Sequence, residues 1–307
     1  MNLLTIFTPS YNRAYILPKL YESLKRQTDK RFEWVIVDDG SVDDTESLVN
    51  GWINESLINI NYQKQQNQGK HIAINTGVEM ANGELFFIVD SDDQLSLNAV
   101  EKVFIFWNSH KTDENISGIL SYRQFPDGKR VGSALPSYVK QCKLRESSSK
   151  YGSIGDKVVI YRTELFRKFK FPKFANECFL GESYVYNQID DIADMLVMNE
   201  MIYIFDYQLD GLSQNFRNLY RKNPLGFQAM FIQGQKYCPD WKSALKNKAH
   251  ICCLAIHNHN LLKVISHCGL SFVLAFPIGL LLYLKIFIMK ISDVKPVSYT
   301  HLRAHET

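Results

Sequence analysis

The sequence is poor in the features that assign a function class by themselves. Charge of one sign is not in excess. Its 307 residues carry 35 Lys and Arg against 32 Asp and Glu, and the net +3 is too weak a bias to expect nucleic acid as a partner. The six cysteines (Cys142, Cys178, Cys238, Cys252, Cys253, Cys268) include no C-x-x-C pair and no framework of a small secreted domain, so free thiols in a reducing cytoplasm are expected. "MNLLTIFTPSYNR" has no basic region leading into a long apolar run, so no signal peptide is expected. Internal repeats and low-complexity linkers are absent. The stretch "TPSYNRAY" contains no glycine, which argues against a triphosphate-cradling loop and hence against a nucleotidyltransferase. Histidine is sparse where chemistry would need it. His71 follows Lys70 at an expected helix start, while His257 and His259 are two apart and share no helix face, so no zinc spacing results.

What is present reads as a globular α/β chain, 46% hydrophobic and 22% charged, long enough for one large domain with an appendage or for two domains. "LLTIFTP", "FEWVIVDDGS", "ININYQK" and "ELFFIVD" are short apolar runs closed by Pro, Gly or acids, as strands are. Between them, "AYILPKLYESLKRQ", "DDTESLVNGWI" and "KHIAINTGVEMANG" carry helical spacing, with Pro18 in a first turn where it is tolerated. This βαβαβαβ order, with strands apolar on both faces, predicts a mostly parallel central sheet flanked by helices. Further on, "LNAVEKVFIFWNSH" reads as a helix, "SGILSYRQF" and "DKVVIYRTELF" as strand-like, and the "ESSSK" patch (Glu146 to Lys150) as a mobile loop. Residues 1–215 are expected to form the main domain and 216–295 a helical, basic and then apolar C-terminal region. Its segment 269–289 is short for a spanning helix and is interrupted by Pro277-Ile278-Gly279. A monotopic anchor on the inner membrane face is the favoured reading, beside a buried core helix and a true span. The tail "VSYTHLRAHET" (297–307) resembles a translated sequencing adapter, so His301 and His305 are set aside as metal ligands.

In parallel α/β sheets, ligands bind at the carboxyl ends of the strands. That rule collects "TPSYNR" (Thr8 to Arg13), "DDGS" (Asp38 to Ser41) and "DSDD" (Asp90 to Asp93) on one edge. Each motif alone is weak, because D-G is a common turn and Asp is favoured in turns and helix caps. Their joint placement after consecutive apolar strands is informative. The crowd of Asp90, Asp92 and Asp93 is mutually repelling, each acid raising the others' pKa values, unless a divalent cation belongs there.

The segments "TIFTPSYNR", "WVIVDDGSVDDT", "NQGKHIAINTGV", "GELFFIVDSDD", "FLGESYVYNQI" and "YQLDGLS" resemble, in order and rough spacing, the family 2 inverting nucleotide-sugar glycosyltransferases of GT-A fold that build bacterial surface polysaccharides. The resemblance spans Thr5 to about Ser213 and is loose beyond that. It implies that Asp90 and Asp92 form a D-x-D pair holding Mg²⁺ or Mn²⁺ against the donor diphosphate, hard cations that take carboxylate and phosphate oxygens together. Asp93 either hydrogen-bonds the donor or caps the next helix. Asp38 and Asp39 match the acidic pair at the nucleobase, with a turn cap as the alternative for one of them. Pro9 and Tyr11 match the loop beside the base, and Lys70 pairs with donor phosphate or a nearby acid, with a solvated lysine as the alternative. The general base for the acceptor hydroxyl is expected at an acidic pair that here reads Gly181-Glu182-Ser183. Either Glu182 is the base in a shifted register, which is preferred, or Ser183 stands where the base should be. Asp190 and Asp191 are expected to be surface acids, and Tyr207, Gly211 and Ser213 match a closing segment at the diphosphate, with a plain β-turn as the alternative. The implied partners are a nucleotide-sugar donor, most plainly UDP-linked, a saccharide or lipid-linked acceptor, and a membrane surface, in a cytoplasmic setting. A degenerate sugar-nucleotide-binding subunit of a membrane assembly complex is the alternative.

Overall fold

The apolar run before Pro9 leaves no polar face, and the strand it forms, β1 (Leu4–Ser10), is buried almost throughout. The same holds for β2 (Phe32–Asp38), all seven of whose residues are buried. These strands belong to a computed structural model that describes residues 4–110, 115–206 and 216–289. Tyr207, Gly211, Ser213 and the 297–307 tail lie outside the described residues. The chain divides into two compact units. The first runs to Phe171 and resumes at Val185; the second comprises Pro172–Tyr184 and the described residues from 216 onward.

In the first unit, β1, α1 (Leu17–Lys25), β2, α2 (Thr45–Glu55), β3 (Ile60–Lys64), α3 (Lys70–Met80) and β4 (Leu85–Ile88) alternate as the sequence predicts. There follow β5 (Gln94–Leu95), α4 (Ala99–Asn108), β6 (Ile116–Gln124), β7 (Gln141–Cys142), α5 (Leu144–Ser149), β8 (Lys157–Arg162), α6 (Thr163–Arg167), α7 (Ser183–Asp190, whose first turn holds the unit boundary) and β9 (Asp194–Ile204). The sheet order is β3-β2-β1-β4-β8-β6-β9-β5, with β7 on β9. Strands β3, β2, β1 and β4 are parallel, and β9 is parallel to β6, while β8 runs antiparallel to both of its neighbours. The chain turns from β2 on one side of β1 to β4 on the other, so the strand order reverses at β1, the kind of position at whose carboxyl edge open α/β sheets bind ligands. On one face of this sheet Tyr21, Trp34 and Trp52 stack, with ring centroids 4.3 Å apart for Tyr21–Trp52 and 5.8 Å for Trp34–Trp52. Pairs of this kind each add about 0.5–1.5 kcal/mol beyond burial.

Two expectations are corrected here. The "ESSSK" patch is not a loop: Leu144–Ser149 form α5. Asp190 is not a surface acid but is 1% exposed. Its carboxylate accepts from the backbone N–H of Leu144 and of Arg145, both at 2.9 Å, capping that helix from a distance. Burial pushes the Asp190 carboxyl up to about 6, against the pull of these hydrogen bonds. Asp191 is exposed, as expected, and pairs with Arg145 at 3.2 Å.

The second unit is helical: α8 (Phe216–Lys222), α9 (Pro224–Gly234), α10 (Trp241–His257), α11 (Leu261–Cys268) and α12 (Phe272–Tyr283), which runs on into a π-helical turn at Leu284–Ile288. Among the described residues no helix is long and apolar enough to cross a membrane. The 269–289 segment instead lays one face on α10, where a Cβ at Gly279 would stand 2.7 Å from the Ala249 carbonyl oxygen. Among the described residues, Cys142, Cys178, Cys238, Cys252 and Cys253 form no disulfide with one another.

His250 of α10 stacks on Phe231 at 4.6 Å and has Nδ1 3.2 Å from the Tyr220 hydroxyl. Burial, aided by the Lys246 charge, pushes its pKa down to about 4 from 6.5. The charged form is therefore disfavoured on folding. The stability this ring confers is complete above 6.5 and is lost as pH falls toward 4. The expected loss is on the order of 2 kcal/mol, allowing for the ring's partial exposure. Amide hydrogen exchange in α10, corrected for intrinsic rates, should show protection falling across that window and levelling off below it. Protection that stays flat in pH would contradict a neutral His250.

Candidate active site

The site is assembled at the carboxyl edge of the first unit. After β1 the chain turns through Asn12, a residue with φ +53°, whose backbone N–H donates to Ser41 Oγ at 2.8 Å and whose Oδ1 accepts from Val42 N–H at 2.9 Å. This clasp ties the loop carrying Pro9 and Tyr11 to the loop after β2. Pro9 is half-buried, while Tyr11 presents its ring with 47% of the residue exposed.

Asp38 and Asp39 separate cleanly. Asp38 Oδ1 accepts from Ser41 N–H and Oδ2 from the Tyr62 hydroxyl, both at 2.7 Å, so this residue is the turn cap. Asp39 Oδ1 accepts from Gln65 Nε2 and Gln68 N–H, and its Oδ2 from Gly69 N–H at 2.7 Å. It therefore shapes the approach to α3. Gly40 between the two loops sits at φ +86°, and a Cβ there would stand 2.9 Å from the Asn67 backbone nitrogen, so only glycine fits. With the entry to α3 fixed, Lys70 reaches across to Asp90 Oδ1 at 2.6 Å, the nearby-acid pairing.

The three acids after β4 do not act alike. Asp90 and Asp92 are partly exposed, whereas Asp93 is 2% exposed. Its Oδ2 accepts from the Tyr203 hydroxyl at 2.6 Å and its Oδ1 from Asp206 N–H at 3.1 Å. Tyr203 Oη in turn accepts from Asp90 N–H at 3.1 Å, so one phenol bridges two of the acids. Asp93 does not cap the next helix, because the residue preceding α4 is Asn98. Burial pushes Asp90 upward, but Lys70, joined by the charges of Arg123 and Arg13, holds it below the usual carboxylate range. Burial and then the Asp90 charge raise Asp92, and the same two causes push Asp93 up to about 7.

A hard divalent cation fits this donor set. Asp92 is a partly exposed carboxylate raised by burial and then by the Asp90 charge, and a bound dication favours its ionised form. Asp90, whose charge acts on Asp92 and whose Oδ1 is held by Lys70, is the other partly exposed carboxylate, while Asp93 is engaged inward. Among the described residues no three His, Cys, Asp or Glu side chains converge to hold a metal by themselves. Such an ion would take its remaining ligands from phosphate and water.

Three residues that sequence reasoning missed belong to this edge. Tyr203 and Arg123 come from β9 and β6, with the Arg123 guanidinium 4.6 Å over the Tyr203 ring. Asp206, which also pairs with Lys19 at 3.1 Å, anchors the segment after β9 on Asp93. No short-range motif marks them, because the Tyr203–Asp93 contact spans 110 positions. Tyr203→Phe removes one hydroxyl from two hydrogen bonds and leaves a buried carboxylate short of a donor. The expected cost is about 1–3 kcal/mol in stability. Chemical denaturation checks this, and an unchanged midpoint would contradict the bridge.

Glu182 lies in the second unit, directly ahead of α7, and Ser183 is the first residue of that helix. It is therefore not among the residues that the first unit gathers.

Residues 5–169 match the sequence profile of glycosyl transferase family 2. A PGL/p-HBAD biosynthesis glycosyltransferase of Mycobacterium bovis is 32% identical over 120 residues, which cover 38% of this chain and 46% of that protein. The chain thus spans about half the length of such curated relatives. Among solved structures, Staphylococcus aureus TarS 1–349 with UDP-GlcNAc superposes with a TM-score of 0.57 at 16% identity, covering 92% of this chain and 90% of that one. The mannosyltransferase PcManGT of Pyrobaculum calidifontis, with GDP-Man and Mn²⁺, gives 0.56 at 17% identity over 99% and 84%. At these identities the likeness is one of fold.

Proposed function

The chain belongs to glycosyl transferase family 2, and from that premise we propose that it moves a sugar, with inversion, from a nucleotide-sugar donor to a hydroxyl of a saccharide or lipid-linked acceptor. The observation that carries this is the convergence of Lys70, Asp90 and Asp92 at the strand-order reversal, beside the clasped loops of Tyr11 and Asp39. Tyr11 offers an exposed ring on which a nucleobase can stack, and the Asp38–Asp39 loop lines the base end. Lys70, which pairs with Asp90, would trade that carboxylate for a donor phosphate. Asp90 and Asp92 would hold Mg²⁺ or Mn²⁺, which supplies charge neutralisation at the leaving nucleoside diphosphate. Glu182 takes the proton from the acceptor hydroxyl as its oxygen bonds to the anomeric carbon and the carbon–phosphate oxygen bond breaks.

The ligands of TarS and PcManGT support both the donor class and the use of a divalent metal, with UDP as the first nucleotide to try. Free cysteines agree with a cytoplasmic setting, and the apolar C-terminal segment with work at the inner membrane face. A second reading, a sugar-nucleotide-binding subunit without turnover, rests on Ser183 following Glu182 where the family carries an acidic pair. A thermal-shift screen of nucleotide sugars with Mn²⁺, followed by turnover assays on the hits, tests the proposal. Binding and turnover of one donor support a transferase, binding without turnover of any donor supports the second reading, and no binding contradicts both.

A further inference from the structure

α12 buries Ala275 and Gly279 on α10 and turns its opposite side to water. Val273, Leu274, Ile278, Leu281, Leu284 and Ile288 recur along that side at helical spacing and continue through the π-helical turn. Three of them are largely exposed, Val273 at 73%, Leu274 at 65% and Leu281 at 67%, while Ile278 and Leu284 are nearer 40%. Leu262 of α11, at 85%, adds to the apolar surface of this unit. Scattered exposed apolar residues need no explanation, but a contiguous apolar helix face marks an interaction surface.

The charge around it is one-sided. No Asp or Glu occurs from Trp241 to Met289, against five lysines. From Phe216 to Met289 there are nine Lys and Arg and one acid, a net +8 in a chain whose whole net charge is +3. Lys285 rises from the apolar face itself and Lys263 follows Leu262, both exposed, where long stems can lie on acyl chains while their ammonium groups reach headgroups. A second copy of so basic a unit would meet like charge. The helix is too short to span a bilayer, and Pro277 falls within it. We propose that the outer face of α12, with the exposed start of α11, lies in the interface of an anionic lipid bilayer. This names the partner for the membrane-side placement proposed above and rests on it. A largely apolar cleft of about 860 Å³, lined by Ile256, Leu261, Leu262, Phe276 and Leu280 and rimmed by Lys263, leaves room for acyl chains beside that face.

Co-sedimentation of the full chain with vesicles tests this. Vesicles of phosphatidylglycerol and phosphatidylcholine in equal parts should bind it at least about tenfold better than phosphatidylcholine alone, and less well as salt rises. Leu274→Asp with Leu281→Asp should abolish binding. Lys263→Glu with Lys285→Glu should weaken it on the order of tenfold or more on the anionic vesicles. Both pairs are at the surface, and unchanged melting temperatures confirm that the variants fold. The inference is overturned by failure to bind either vesicle, by undiminished binding of the leucine variant, or by a dimer in sedimentation velocity that the leucine variant dissociates. Donor turnover on a soluble acceptor, measured on the same samples, should be unaffected by either pair. Its absence from the parent chain would contradict the transferase and leave the vesicle result to decide the docking face.

Discussion

Asp92→Ala is expected to lower sugar transfer on the order of a thousandfold, the several kcal/mol that charge neutralisation at a leaving diphosphate contributes. EDTA on the parent chain should produce a similar loss, reversed by Mn²⁺. The accompanying stability change makes this informative. In the absence of ligands Asp92 is raised by burial and by the Asp90 charge, so it is a site of unfavourable crowding. Removing it relieves repulsion, and the melting temperature of Asp92→Ala should be equal to or slightly above that of the parent. Asp90→Ala should behave differently, because it also removes the Lys70–Asp90 ion pair at 2.6 Å. Full activity of Asp92→Ala in saturating Mn²⁺ would remove the D-x-D pair from the mechanism.

Glu182→Gln is the second large effect. A carboxamide keeps the shape and loses the proton acceptor, so kcat should fall about 10²–10⁴-fold while donor affinity is retained. Ser183→Asp, which restores a second acid at the start of α7, separates the two registers. If Glu182 is the base, it lowers activity or leaves it unchanged. If Ser183 holds the base position, it raises turnover while Glu182→Gln has little effect. Single-turnover kinetics with bound donor measure the step directly.

How much of this was legible in the sequence depends on how local the cause is. β1, β2 and β4 were readable because strands buried on both faces must be apolar throughout, and their closing acids marked the ligand edge. Asp38 and Asp39 looked interchangeable in "DDGS". Only the fold shows that one caps its own turn while the other reaches Gly69, thirty positions away. Asp93 sat in the same cluster as Asp90 and Asp92, yet its hydrogen-bond partners come from β9 and the residues after it. The antiparallel insertion of β8 between β4 and β6 was also invisible, since a strand's hydrophobic pattern does not name its neighbour. Asp190 shows the converse error. Next to an exposed Asp191 it resembled solvated charge, and the two N–H groups that justify its burial lie on a helix more than forty positions earlier. The serine-rich "ESSSK" favours turns by local propensity, and that remote cap overrides it.

The most direct measurement is calorimetric titration of UDP and GDP into the parent chain and into Asp92→Ala, each with Mn²⁺ and with EDTA. Binding of a nucleoside diphosphate that requires Mn²⁺ and is at least about tenfold weaker in Asp92→Ala is the expected result. Equal affinity in EDTA, or in the variant, would contradict a diphosphate held through a cation on Asp90 and Asp92.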